Sequence, residues 1–207
     1  MLITLLRHGE VIGRPQVLRG RSDPALSAQG HEQLQRAWQT FTPDITHIVS
    51  SPLQRCSSFA TQQAQQQQLP LTIIDTLQEI DFGDWEELTL DEARAHHPDC
   101  FARFQHDTWN WCAPNGEAYV EFRMRMRQAL LQLQSIATRH LLVITHGGVI
   151  RALLAELLAL SPSSAACIGV PLAGFCQLWL DDGYSNKPAG APGASLLRLQ
   201  WLEPTCG

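Results

Sequence analysis

The stretch Leu2-Ile3-Thr4-Leu5-Leu6-Arg7-His8-Gly9-Glu10 decides how this chain is read. A short apolar run bounded by polar residues is the pattern of a buried strand. A second segment repeats the design: the apolar run from His140 to Thr145 ends in His146-Gly147-Gly148. Both strand-end histidines are followed by glycine, and the other six histidines are not. Glycine at such a place lets backbone and ligand come close.

Further strands are expected at 45–50, 71–74, 174–180 and 195–201. Helices are expected at 27–40 (with Ser27 as N-cap), 52–68, 89–96, 98–105, 116–138 and 148–160. Strands alternating with helices make an α/β sandwich with a mostly parallel sheet. Pro52 suits a first helical turn, where its missing N–H is no loss. The glutamine tract from Gln62 to Gln68 reads as a solvated helix end. Gly116-Glu117 is expected to open a helix, the acid being favoured by the dipole. With 207 residues, one domain spanning 1–207 is the expectation, with a cap-like helical insert at about 84–115.

Open α/β sheets bind ligands beyond the carboxyl ends of their strands. The residues that follow the expected strands are Arg7-His8-Gly9-Glu10, Ser50 to Arg55, Leu77-Gln78-Glu79 and Thr145 to Gly148. Arg7 and Arg55 can each present forked donors to a phosphoryl group. His146 adds a donor, and the helix opening at Gly148 adds N–H groups and a positive dipole end. Beside those cations the protonated form of His8 is disfavoured, which leaves a neutral imidazole able to act as a nucleophile. Glu79 can give a proton to the leaving oxygen and take one from water. Asp81, Asp84 and Glu86 are its neighbours and its competitors for that role.

Composition narrows the classes. With 44% hydrophobic and 17% charged residues the chain is ordinary for a globular protein. There is no apolar run long enough for a transmembrane helix, and no basic n-region or cleavage site of a signal peptide, so a cytoplasmic location is expected. The net charge of −5 argues against sequence-blind nucleic-acid binding. Lys187 is the only lysine; the other basic residues are arginines, which suit planar, two-pronged contacts with phosphate or carboxylate. The six cysteines form no C-x-x-C and read as free thiols, mostly small core fillers. His96-His97 point apart on a helix and have no suitably spaced acid or cysteine, so no metal site is expected. Trp109 and Trp111 are read as the core of the insert. P-loop, G-x-G-x-x-G, G-x-S-x-G and H-E-x-x-H motifs are absent.

On Arg7-His8-Gly9-Glu10 and Thr145-His146-Gly147-Gly148, the chain resembles the histidine phosphatase superfamily, with its three-layer, phosphoglycerate mutase-like fold. The segments Leu77–Glu87 and Ala113–Arg125 resemble those of alpha-ribazole phosphatases of cobalamin assembly. The resemblance implies that His8 becomes phosphorylated and that Arg7, Arg55, His146 and Gly147 hold the phosphate. It also implies that Glu79 is the proton donor and Glu10 a loop-orienting residue. The family often has Asn seven residues after the first Arg; here Arg14 stands there, a candidate for the same pocket. The implied substrate is a small-molecule phosphate monoester, with no cofactor, no nucleic acid and no membrane partner; a homodimer is a fair expectation. Alternatives are a phosphoglycerate mutase, a broad-specificity phosphatase and a non-catalytic phosphate-binding protein on the same fold.

Overall fold

A computed structural model describes residues 1–41, 44–107 and 109–179. In chain order they form β1 (Leu2–Arg7), α1 (Ala28–Phe41), β2 (His47–Ser50), α2 (Gln54–Gln67), β3 (Leu71–Ile73), α3 (Leu90–His96) and α4 (Pro98–His106). Then follow α5 (Tyr119–Gln134), β4 (His140–Thr145), α6 (Gly147–Leu158), α7 (Pro162–Ala166) and β5 (Phe175–Trp179). Single 3-10 turns stand at Asp75–Leu77 and Gly83–Trp85. The expected strand at 195–201 lies outside the described residues.

The sheet runs β3-β2-β4-β1-β5. Neighbours are parallel except for β5, which is antiparallel to β1. The two-residue side-chain period of a strand sorts the core into two halves. Ile3, Leu5, Leu141 and Val143 face one layer, which α5 and α6 complete with Phe122, Met126, Val149 and Leu153. Leu6, Leu142 and Ile144 face the other, completed by α1 and α2 with Leu34, Trp38, Phe59 and Ala60. The result is the expected three-layer α/β sandwich, and burial on both faces is why β1 and β4 read as near-continuous apolar runs. Among the described residues no helix is long and apolar enough to cross a membrane.

The segment between β3 and α5 packs through aromatic rings. Trp85 is fully buried and stacks on Trp111 with ring centroids 6.5 Å apart, while Phe101 lies tilted against Trp85 and Phe104 makes T-shaped contacts with both indoles. Trp111 is thus core, as expected. Trp109 is not: it is 45% exposed, with the Arg123 guanidinium over its ring at 4.3 Å.

Other differences have local causes. Helix α1 begins after Ser27, whose hydroxyl accepts from Gly30 N–H at 2.9 Å, as expected of an N-cap. Helix α2 starts two residues after Pro52, where the Asp23 carboxylate takes the Gln54 N–H at 2.7 Å. Within the glutamine tract Gln65 to Gln68 are solvated, but Gln63 is buried and donates to Gln35 Oε1 at 3.1 Å. The helix expected from 116 opens only at Tyr119, because Glu117 N–H donates to the Asp81 carbonyl and its carboxylate is taken by Arg125. Cys56 and Cys176 are buried fillers, whereas Cys112 and Cys167 are exposed; all five described thiols are free. His96 is exposed, and no metal-binding cluster occurs among the described residues.

Candidate active site

The parallel ladder of β1 on β4 pairs Arg7 with Thr145, so the next residues, His8 and His146, emerge side by side. His8 N–H extends the ladder by donating to the Thr145 carbonyl at 2.9 Å, and the two imidazole centroids are 5.4 Å apart. Ser51, just past β2, joins the same row by donating its N–H to the Ile144 carbonyl. The sheet thereby delivers two rings and a hydroxyl to one edge.

Each ring is fixed in its tautomer by its partners. His8 Nδ1 lies 2.7 Å from the Gly9 carbonyl, which can only accept, so the proton is on Nδ1 and Nε2 keeps its lone pair. His146 Nδ1 accepts from Arg55 Nε at 3.2 Å, so its proton is on Nε2, which donates to Ser51 Oγ at 2.8 Å. Burial, and then the charges of Arg7 and Arg55, pull the His8 imidazole from its usual range down to about 3. Sequence reasoning assigned that effect to the cations alone; loss of water is the larger cause. His146 is pushed well below its usual range by burial and then by Arg55. Both rings are neutral at physiological pH.

The two cations are held differently. Arg55 is fully buried, and its two terminal nitrogens donate to the carbonyls of Ser22 (2.6 Å) and Gly20 (2.8 Å). Arg7 reaches the Val170 carbonyl with Nη1 at 2.5 Å, while its Nε is buried without an acceptor among the described residues. Burial lowers its proton affinity, and Glu79 partly offsets this. An orphaned guanidinium N–H in such a place is costly unless an anion completes it. Gly147 lines this corner, a built Cβ falling 3.4 Å from Arg7 Nε.

Glu79 approaches from the loop after β3. It is buried, and its carboxylate accepts from Gly148 N–H at 2.8 Å and from its own neighbour Ile80 N–H at 3.1 Å. The opening of α6 therefore serves Glu79, and the Gly148 N–H expected to face a phosphate is already taken. A side chain at Gly148 would put a Cβ 2.4 Å from Glu79 Oε1, so this approach requires glycine.

Of the competing acids, Glu86 has a different task. Its carboxylate gathers the N–H groups of Gly20, Arg21, Ser22 and Phe82 at 2.8–3.1 Å, welding the β1–α1 loop to the Glu79 loop. Arg125 complements it. That side chain donates to the carbonyls of Thr76, Gln78 and Glu79 and is braced on both oxygens by Glu117. Glu10 accepts from Ser27 Oγ at 2.7 Å and so orients the first loop. Arg14 does not join the cluster: 54% exposed, it forms a two-pronged ion pair with Glu92. The sequence reading missed Ser51, Glu86, Glu117 and Arg125 as site builders. Ser51 carries a signal, standing directly after a strand that ends at the site edge; the other three act on backbone atoms remote in sequence and carry none.

A neutral imidazole with a bare nitrogen, two guanidinium groups and a buried carboxyl group are the groups that transfer of a phosphoryl or similar oxyanion needs. Comparison with known proteins agrees. The chain spans only 35% of the length of the mycobacterial proteins that it matches at 34% identity over 129 residues. It is 29% identical over 194 residues to adenosylcobalamin/alpha-ribazole phosphatase of Escherichia coli, covering 88% of this chain and 87% of that one. To a probable phosphoglycerate mutase of Erwinia tasmaniensis it is 30% identical, covering 91% and 92% respectively. Its fold matches the crystal structure of the alpha-ribazole phosphatase from Shigella flexneri with a TM-score of 0.79 over 88% of this chain and 92% of that chain, at 24% identity. The family model of the histidine phosphatase superfamily (branch 1) matches residues 3–186, and the chain belongs to that family.

Proposed function

We propose that the chain is a phosphomonoester hydrolase that works through a phosphohistidine on His8. The observation that carries this reading is the bare Nε2 of a buried, neutral His8 beside two guanidinium groups, one with an N–H still lacking an acceptor. Nε2 attacks phosphorus, forming the P–N bond as the bond to the alcohol oxygen breaks, and Glu79 protonates that oxygen as it leaves. Glu79 then takes a proton from water, the water oxygen attacks phosphorus, and the P–N bond breaks to release phosphate and restore His8. Arg7, Arg55 and the Nε2–H of His146 hold the charge-rich equatorial oxygens. Side chains alone carry this scheme, so we expect it to be independent of metal. Arg14, tied to Glu92, is left out of it.

Alpha-ribazole 5'-phosphate, with a place in cobalamin biosynthesis, is the first candidate ester, supported by the likeness to the Escherichia coli phosphatase. The likeness to a probable phosphoglycerate mutase supports a second reading, in which phosphohistidine returns its phosphoryl group to the substrate. The free thiols of the described cysteines are in keeping with a reducing, cytoplasmic setting.

Rapid quenching with a radiolabelled ester tests the proposal. An acid-labile, alkali-stable adduct on His8 that decays to inorganic phosphate is expected. Brisk turnover without that adduct overturns the mechanism, and decay only onto a glycerate acceptor favours the mutase.

A further inference from the structure

The β1–α1 loop carries a cation that the proposed chemistry does not use. Arg21 is partly buried, and its side chain makes no hydrogen bond or ion pair with any described residue. Its backbone is locked in place. The N–H groups of Gly20, Arg21 and Ser22 all donate to Glu86, and the carbonyls of Gly20 and Ser22 are held by Arg55. Arg21 thus stands between two residues fixed by the guanidinium assigned to the phosphoryl oxygens. Gly20 also packs so tightly on the Ile80 carbonyl that a Cβ would fall 1.9 Å from it. Ile80 directly follows Glu79. Arg21 therefore leaves the backbone at the seam between the phosphoryl clamp and the proton donor.

The charges felt by Arg21 are those of Arg125, Glu117, Asp81 and Glu79. None of the three acids pairs with it. Glu117 has both oxygens on Arg125, Glu79 is held by Gly148 and Ile80, and Asp81, whose Oδ1 accepts from Gly83 N–H, makes no hydrogen bond or ion pair with Arg21. Arg125, in turn, repels it. Burial and then this repulsion lower the hold of Arg21 on its proton, against the pull of the three acids. A forked donor that is partly stripped of water and has no acceptor suits an oxyanion brought by a ligand.

We propose that Arg21 is a specificity-determining residue that binds a second anionic group, a carboxylate or a phosphate, on the alcohol portion of the ester. The alcohol side follows from the neighbourhood of Glu79, the group that protonates the leaving oxygen; in this the inference rests on the phosphatase reading. The favoured substrates are then esters of acidic alcohols, and a neutral alcohol such as alpha-ribazole leaves Arg21 without a partner.

The test is a ratio of kcat/KM values within matched pairs, measured for the wild type, Arg21→Gln and Arg21→Lys. One pair is 3-phosphoglycerate against glycerol 3-phosphate; the other is fructose 1,6-bisphosphate against fructose 6-phosphate. The wild type should favour the member with the second anionic group in at least one pair, and the pair that separates identifies the anion. Arg21→Gln should cut that preference by about ten- to a hundredfold, mostly through KM, the scale of a lost charge-assisted hydrogen bond. Arg21→Lys should restore part of it, and added salt should erode it in the wild type. A ratio that Arg21→Gln leaves unmoved overturns the assignment, as does a wild type with no preference in either pair. Should Arg21→Gln fold poorly, the lysine variant and the salt series on the wild type decide the matter. The quench experiment separates the two failures: a His8 adduct with no charge preference removes only the role of Arg21, whereas its absence with every ester removes the phosphatase reading itself.

Discussion

Two halves of the site are built on different principles. The half at the sheet edge, with Arg7, His8, Ser51 and His146, takes its geometry from strand ladders. The half around Glu79 is loop, and takes its geometry from side chains that grip backbone: Glu86 on four N–H groups and Arg125 on three carbonyls. Ladder geometry survives most substitutions because it is written in backbone atoms. Gripped geometry depends on single carboxylates and guanidinium groups, so a remote side chain there matters as much as one in contact with the substrate.

Several substitutions sharpen or break this contrast. The largest effect belongs to the sheet edge. His8→Ala removes the proposed nucleophile and should lower turnover of an aryl phosphate by at least about a thousandfold and abolish the labelled adduct. Arg55→Ala touches both halves. It removes a donor that our proposal assigns to the phosphoryl oxygens, for which we expect a loss on the order of 10²–10³ in kcat by analogy with a deleted oxyanion donor. It also frees the Gly20 and Ser22 carbonyls, so thermal melting should register the same change.

Glu86→Gln probes the gripped half alone. Trading a charged acceptor of four N–H groups for a neutral amide should destabilise the fold by roughly 1.5–3 kcal/mol and lower kcat while the His8 ring stays in place. Equal activity in this variant would mean that the loops hold their shape without the carboxylate.

The sequence made the first half plain and left the second obscure, for the same reason. His8 and His146 each sit one step past an apolar strand, and adjacency in the chain became adjacency in space. Glu79 could be proposed as proton donor from its place after β3, yet Glu86 could not be told from it by type or spacing; only the fold shows that Glu86 gathers four backbone N–H groups. Arg14 shows the opposite error. Its offset from Arg7 made it a pocket candidate, but its loop carries it out to Glu92, which its pull lowers to about 2. The late start of α5 likewise depends on Glu117 meeting Arg125, a contact invisible to helix propensity.

Acid should expose the cost of keeping His8 uncharged. Its folded value of about 3 lies below the ordinary 6.5, so between those limits the unfolded chain binds a proton that the folded one refuses. Stability is then full above pH 6.5 and falls as the pH drops toward 3; denaturant melts across that range should be flatter for His8→Asn. The smallest effect is expected at Ser51. Ser51→Ala removes the acceptor of the His146 Nε2–H, and a change in kcat of less than about tenfold is expected, in line with a single hydrogen bond of roughly 1 kcal/mol. Nitrogen shifts of the ring should report whether the proton stays on Nε2.

The pairing of Arg7 with Thr145 has a consequence for how this protein can vary. Because the side-chain direction alternates at every step along a strand, deleting one residue from β1 or from β4 would swing its histidine to the opposite face of the sheet. The two segments can change their side chains but not their lengths. Insertions belong instead in the exposed turn at Ile12 to Gln16, where extra residues disturb no count.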